Sequence, residues 1–307
     1  MKNIQADIKS GNFKQVYLLY GEEAYLKQQY KQNLVKALNP DGDTMNFNHY
    51  EGKGIDVKQL IDLCETMPFF AERRVVLLED TGFFKNKCEE LADYMKELPD
   101  YLYLVFAETE VDKRNRMYKA VKACGSIAEF IRQDEKTLMR WAAGILGKAG
   151  KKITQRDMEL LLTKTGTDMG NLRMEMEKLI SYTEGRDVVT AEDIEEICTT
   201  QTTNRIFDMV RAVTEKNQKR ALELYYDLLT LKEPPMRILF LLAKQYRQLL
   251  LAKQFAAAGL AQTEIASKLG VPGFVVRNIT TCARAYTISE LEQAVKDFVD
   301  AEESVKT

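Results

Sequence analysis

Two runs in the first half of this chain, Val75-Val76-Leu77-Leu78 and Leu102-Tyr103-Leu104-Val105-Phe106, are apolar without interruption. A strand with one wet face alternates apolar and polar residues. A strand apolar throughout must be covered on both faces, which is the condition of a parallel sheet flanked by helices. These runs belong to a series of strand-like segments, Val16–Tyr20, Thr44–Tyr50, Arg74–Leu78, Tyr101–Phe106 and Ser126–Phe130. Helical patterns fall between them at Ala24–Leu38, Val57–Thr66, Lys87–Lys96 and Met117–Ala123. Strict alternation of the two predicts an α/β domain over residues 1–134.

After Phe130 the strand signals stop. A helix is expected from Glu135 to Ala149, with Trp141 as a core anchor. Thr154-x-x-Asp157 and Thr190-x-x-Asp193 carry the pattern of helix N-terminal capping boxes. Leu172, Met176, Leu179 and Ile180 share one helical face, and Met158, Met169, Met174 and Met176 are expected as core filler. The polar run Thr199–Asn204 is read as a linker between a small helical domain, 135–203, and a second helical domain, 204–307. The latter contains a break at Pro234-Pro235, a long helix from Met236 to Ala258 and a last helix from Ser289. The fold class is therefore α/β plus all-α.

Composition removes several classes of function. One histidine, His49, leaves almost no histidine-based catalysis or metal binding, and it sits in a strand-like run as expected surface decoration. The five cysteines are widely spaced without any C-x-x-C, so neither a zinc ribbon nor a disulfide framework is expected, and a reducing compartment is. No catalytic residue, metal site or cofactor is predicted. The first residues carry no apolar h-region, so no signal peptide is expected. The most apolar window, Ile238–Leu251, is interrupted by Lys244 and Arg247 and is read as a buried helix rather than a membrane span. The formal net charge of −2 carries no strong pull toward a polyanion, but residues 237–284 hold seven cationic side chains against the single acid Glu264. Lys244, Arg247 and Arg277 are the candidates there for contact with DNA or with a partner subunit.

Four segments bear on function. Gly21-Glu22-Glu23-Ala24-Tyr25-Leu26-Lys27-Gln28 follows the first strand and opens the first expected helix of the alternating series, where a phosphate-cradling loop would read G-x-x-x-x-G-K-[ST]. Gly21 and Lys27 match. Leu26 stands where close backbone approach needs a second Gly, and Gln28 stands where magnesium needs a hydroxyl. Glu22 and Glu23 place negative charge where phosphate would lie. From these residues alone the octet is either a disabled nucleotide loop or an ordinary strand-to-helix turn. Leu77-Leu78-Glu79-Asp80 ends a strand with an acidic pair in the region where ATPases keep theirs, but in reversed order; capping of a turn is the expected role.

Met67-Pro68-Phe69-Phe70-Ala71-Glu72-Arg73-Arg74 joins a helix to a strand. Adjacent aromatics after a Pro are either an exposed protein-binding tip or a pair packed under the sheet edge, and the residues leave both open. Gln262–Pro272 with Phe274-Val275-Val276-Arg277-Asn278 has the spacing of a helix-turn-helix. Only Arg277 and Asn278 would offer polar groups to base edges from the second helix, so DNA reading is not the favoured role.

Taken in order, these segments resemble the delta subunit family of the bacterial DNA polymerase III clamp loader. Further motifs that carry the resemblance are Val16–Glu23, Asp112-Lys113-Arg114 ahead of Gly125, Thr165-Gly166-Thr167-Asp168 with Glu175, Glu177, Lys178 and Leu179, Ile206-Phe207-Asp208 and Gln245–Leu250. The resemblance implies an AAA+-like parallel-sheet domain, a small helical lid domain and a helical collar. It implies a cytoplasmic, non-catalytic subunit of a DNA-directed DNA polymerase holoenzyme, a nucleotidyltransferase only at the level of the complex. Its degenerate loop (Gly21, Leu26, Lys27, Gln28) would not turn over ATP. Its partners would be the sliding clamp (beta), bound through Met67, Pro68, Phe69 and Phe70; the tau/gamma and delta-prime subunits, joined through the collar; and primer–template DNA within the assembly. No membrane partner is implied. Asp62, Glu65, Arg73 and Arg74 are expected to support the clamp contact. An ATPase with an atypical loop and a helix-turn-helix DNA-binding protein are the rival expectations.

Overall fold

The computed structural model describes residues 2–199 and 202–306, and the chain divides into two compact units, Met1–Gln133 and Asp134–Thr307. The first begins with helix α1 (Lys2–Ser10), which the sequence reading missed. It continues through β1 (Val16–Tyr20), α2 (Ala24–Leu38), β2 (Phe47–Glu51), α3 (Val57–Glu65) and β3 (Arg74–Glu79). It closes with α4 (Glu89–Tyr94), β4 (Leu102–Glu108), α5 (Arg116–Cys124) and β5 (Ser126–Glu129).

The strands form one parallel sheet in the order β2-β3-β4-β1-β5. Period-2 alternation distributes each strand between two cores. Val16, Leu18 and Tyr20 of β1, Val76 and Leu78 of β3, and Leu104 and Phe106 of β4 meet Leu60, Leu91, Met117 and Val121 from α3, α4 and α5. Tyr17, Leu19, Val75, Leu77 and Val105 point the other way, onto Ile4 of α1 and Leu34 and Leu38 of α2. Burying both faces is why β3 and β4 read as unbroken apolar runs.

Because all strands are parallel, their N-terminal ends share one edge and their C-terminal ends the other. The loop before β3, carrying Phe69 and Phe70, lies on the first edge. Gly21, after β1, lies on the second, the edge where sheets of this kind bind ligands. β2 starts three residues later than expected, since the Asp43 side chain accepts the N–H groups of Met45 (2.7 Å) and Asn46 (3.4 Å) and turns the chain before the ladder begins.

In the second unit, α6 (Glu135–Lys148), α7 (Gln155–Thr165), α8 (Met169–Tyr182) and α9 (Ala191–Ile197) enclose Leu146, Leu161, Leu172, Met176 and Leu179. Thr154 and Thr190 cap α7 and α9 as expected, the latter in a full capping box. Trp141 is partly buried against this core, whereas Met174 is 58% exposed and is not filler. Strand signals do not end at Phe130: β6 (Lys152–Ile153) and β7 (Val188–Val189) form a two-residue parallel pair, too short for periodicity to reveal.

α10 (Thr202–Thr214) takes in Thr202 to Asn204, so that part of the predicted linker is helix; Thr200 and Gln201 lie outside the described residues. α11 (Gln218–Thr230), α12 (Pro235–Ala257), α13 (Gln262–Leu269), α14 (Gly273–Ala283) and α15 (Ile288–Lys306) follow. Pro235 occupies the first turn of α12, where its missing N–H costs nothing. α12 buries Ile238, Gln245, Leu249 and Ala252 but leaves Phe240 59% exposed, so it is striped rather than buried all round. Among the described residues no helix is long and apolar enough to cross a membrane.

Candidate functional site

The loop between α3 and β3 presents three large apolar side chains to solvent. Met67 is 75% exposed, Phe69 57% and Phe70 95%, with Pro68 half-buried between them. The two rings meet edge to face, centroids 4.4 Å apart. Covering each ring would contribute about 1.5–3 kcal/mol.

The loop is held from behind. Asn46, 3% exposed, accepts the Phe69 N–H through Oδ1 at 2.6 Å and donates Nδ2–H to the Phe69 carbonyl at 2.8 Å. The Asn46 amide also donates to Asp43 Oδ2 at 2.5 Å, and that hydrogen bond is the main reason the Asp43 carboxyl titrates below its usual range. Arg74, 5% exposed, donates to the carbonyls of Thr66 (2.8 Å) and Met67 (3.3 Å) and to Asn48 Oδ1 (3.2 Å).

The expectation that Arg73 and Arg74 support a partner therefore fails for Arg74, whose guanidinium is consumed inside. Arg73 stacks over the rings of Phe13 and Tyr103, at 5.2 and 5.4 Å from their centroids. Asp62 and Glu65 are exposed on α3, with Glu65 accepting from Tyr94 at 2.6 Å. No local pattern in the sequence marks Asn46, which lies in another part of the chain.

At the opposite edge, Gly21 has a φ of +123°, and a Cβ there would sit 2.3 Å from the Phe130 carbonyl oxygen. The glycine serves the close passage of two backbone segments, which the Glu23 N–H seals by donating to the same carbonyl at 2.9 Å. Leu26 packs into the core formed by α1, α2 and the sheet, and Gln28 is exposed. Lys27 does not point an idle ammonium at solvent: Nζ donates to the backbone carbonyl of Glu108 at 2.9 Å, and burial lowers its pKa.

Carboxylates crowd this ammonium. Glu79 pairs with Lys31 (2.6 Å), and its other carboxylate oxygen lies 2.9 Å from His49 Nε2, so the single histidine has a carboxylate partner rather than being mere decoration. Asp80 accepts the Thr109 N–H and hydroxyl at 2.8 Å each, capping a turn. The Glu108 carboxyl, 2% exposed, accepts the Thr81 hydroxyl at 2.6 Å, and burial pushes its pKa up. Adding a triphosphate would bring further negative charge against these groups.

A family described as DNA polymerase III, delta subunit, matches residues 17–130, and the C-terminal domain of the same subunit matches residues 203–307. The DNA polymerase III subunit delta of Bacillus subtilis is 26% identical, covering 99% of this chain and 91% of the relative. A probable delta subunit from Aquifex aeolicus is 22% identical over 83% of this chain and 75% of its own length. The chain belongs to the DNA polymerase III delta subunit family. The solved DNA clamp loader delta protein of Bacillus subtilis superposes with a TM-score of 0.66 at 24% identity, covering all of this chain and 94% of the other, which shows the fold.

The helical unit of this delta-family chain holds the remaining candidates. Lys244 is exposed and lines a cavity of about 400 Å³ together with Asp208, Arg211 and Gln248. Arg247 is exposed on α12. The helix-turn-helix spacing is real as geometry: Gly270 ends α13 with φ +63°, and α14 follows. Val276 is fully buried among α10, α12, α13 and α15, and Ile279 packs beside it. The side chain of Phe274 lies outside the described residues. Arg277 faces Glu159 at 3.7 Å and Glu135 at 3.9 Å. The structure brings Met67, Pro68, Phe69 and Phe70 together. It brings Gly21, Leu26, Lys27 and Gln28 into the segment that joins β1 to α2 and opens α2.

Proposed function

We propose that this delta-family chain binds a ring-shaped sliding clamp through Phe69 and Phe70 and favours its open form, so that the ring can be loaded onto primed DNA. The observation that carries the reading is the exposed aromatic pair on a loop whose backbone is hydrogen-bonded from behind. Two rings entering an apolar pocket would contribute about 3–6 kcal/mol together, before the cost of association. If contacts at the ring's seam are better in the open state, binding shifts the population toward opening without a mechanical stroke.

The chain itself contributes no chemistry in this reading. Lys27 is tied to the Glu108 carbonyl and ringed by acids, which opposes an ATPase role. Residues 204–307 would act as the collar that joins tau/gamma and delta-prime subunits, residues 135–203 as the lid, and the whole as a cytoplasmic replication factor. ATP on neighbouring subunits would govern exposure of the tip. Arg277 is engaged with Glu135 and Glu159, which favours packing over DNA contact at that position.

The test is binding of the wild-type chain and of Phe69→Ala/Phe70→Ala to a bacterial sliding clamp by surface plasmon resonance. Loss of at least a hundredfold in affinity is expected. Equal binding would remove the tip as the anchor. A calorimetric titration with Mg·ATP that saturates at micromolar concentration would revive the ATPase reading.

A further inference from the structure

The rings of Phe69 and Phe70 stand in water, yet the backbone beneath them is more tightly specified than exposure requires. Phe70 adopts φ +49°, a left-handed state that aromatic residues seldom enter unaided. Asn46 meets the neighbouring Phe69 peptide groups at two points, as a strand would. The Asn46 carboxamide is itself oriented: Asp43 accepts its Nδ2–H, so the oxygen must face the Phe69 N–H. Asp43 is fixed in turn by a second two-point clasp. Asn39 Oδ1 accepts the Asp43 N–H and Asn39 Nδ2 donates to the Asp43 carbonyl, both at 2.9 Å. The relay therefore runs from the end of α2 to the tip, Asn39 to Asp43 to Asn46 to Phe69. At 3% exposure Asn46 offers a docking partner almost no surface.

We infer that Asn46, keyed by Asp43, is a positioning residue that holds the Phe69–Phe70 tip in its partner-ready shape, so that clamp affinity depends on a side chain the clamp does not touch. This rests on the docking role proposed above. A tip already ordered before encounter avoids the ordering cost that a floppy loop would meet on binding. Releasing the clasp lowers the fraction of molecules in the competent shape, and apparent affinity falls by that fraction.

The experiment compares full-length wild type, Phe69→Ala/Phe70→Ala, Asn46→Ala and Asn46→Asp for binding to a bacterial sliding clamp by surface plasmon resonance. Melting curves establish that each is folded. Asn46→Ala is expected to bind about tenfold more weakly, with the loss in the association rate and little change in dissociation, as a reduced competent fraction requires. Asn46→Asp puts a carboxylate against Asp43 and removes the donor at neutral pH. Its affinity should recover between pH 7.5 and about 5.5, as the close carboxyl pair takes up a proton and regains an O–H donor, with the buried Arg74 guanidinium, the cation that bears on Asp43, drawing that uptake toward the acid end of the range, while wild type stays flat.

A general loss of fold would not produce that recovery, and the Asn46→Asp arm stands even if Asn46→Ala fails to fold. If Phe69→Ala/Phe70→Ala loses binding while both Asn46 variants bind as wild type at pH 7.5, the positioning role is refuted and the docking role survives. If Phe69→Ala/Phe70→Ala binds as wild type, the docking role falls and this inference with it.

Discussion

Replacing Gly21 by Ala separates a glycine kept for phosphate from one kept for folding. The new methyl carbon would lie 2.3 Å from the Phe130 oxygen and 2.9 Å from the Phe130 carbon and nitrogen. A relaxed carbon–oxygen contact is about 3.3–3.6 Å, so the two segments must part by about 1 Å. Both are backbone, and neither can swing aside like a side chain. Overpacking of this kind costs about 1–3 kcal/mol. Holding a non-glycine residue at φ +123° adds about 1–3 kcal/mol. The Glu23-to-Phe130 hydrogen bond is stretched as well.

A total of about 2–6 kcal/mol is a large part of a typical domain's stability and corresponds to a melting-temperature drop of about 6–24 °C. The assay is thermal unfolding followed by far-ultraviolet circular dichroism, alongside emission of Trp141, the single tryptophan, which sits in the second unit. The dichroism transition of the sheet unit should fall far more than the Trp141 transition. A Gly21→Ala protein that melts within about 2 °C of wild type on both signals would refute the close-passage argument.

Phe70→Gly should leave stability unchanged or raise it by up to about 1 kcal/mol, because it relieves the left-handed phenylalanine, while weakening clamp binding in the same resonance assay; a clear loss of stability would show that the exposed ring supports the fold. Glu108→Gln tests the buried carboxyl. Its folded pKa lies above the ordinary 4.5, so the stability it confers is complete below that value and is lost as pH rises through the folded pKa. The variant should therefore gain on wild type in melting scans at pH 7, with the advantage vanishing near pH 4; the opposite trend would mean that the ionised form is the better satisfied one. Arg277→Ala removes ion pairs at 3.7 and 3.9 Å on a half-exposed guanidinium and should cost less than about 1 kcal/mol in urea unfolding.

The covered sheet was legible because two-sided burial writes itself into β3 and β4 as uninterrupted apolar residues. The helical units were legible through caps such as Thr190 and through the face shared by Leu172, Met176 and Leu179. Short or locally bent pieces were not. α1 has few apolar residues, β6 and β7 have two residues each, and the turn at Asp43 delays β2 by a side-chain hydrogen bond that no periodicity encodes.

At the tip, the aromatic pair was visible but its direction was not, since exposure follows from what Asn46 and Arg74 bind in space. Arg74 was misassigned for a physical reason: cationic side chains are seldom buried, and its three acceptors come together only after folding. Gly21 caught the eye as half of a phosphate motif. The reason it must be glycine is Phe130, a residue remote in sequence.

The tip and the turn after β1 lie at opposite ends of the same parallel strands, separated by the length of a five- or six-residue strand, roughly 17–20 Å. Groups that far apart with no common partner make independent contributions to free energy. Substitutions at Lys27 and at Phe69 should thus combine additively in any assay. A change at one rim therefore leaves the contacts of the other rim as they were.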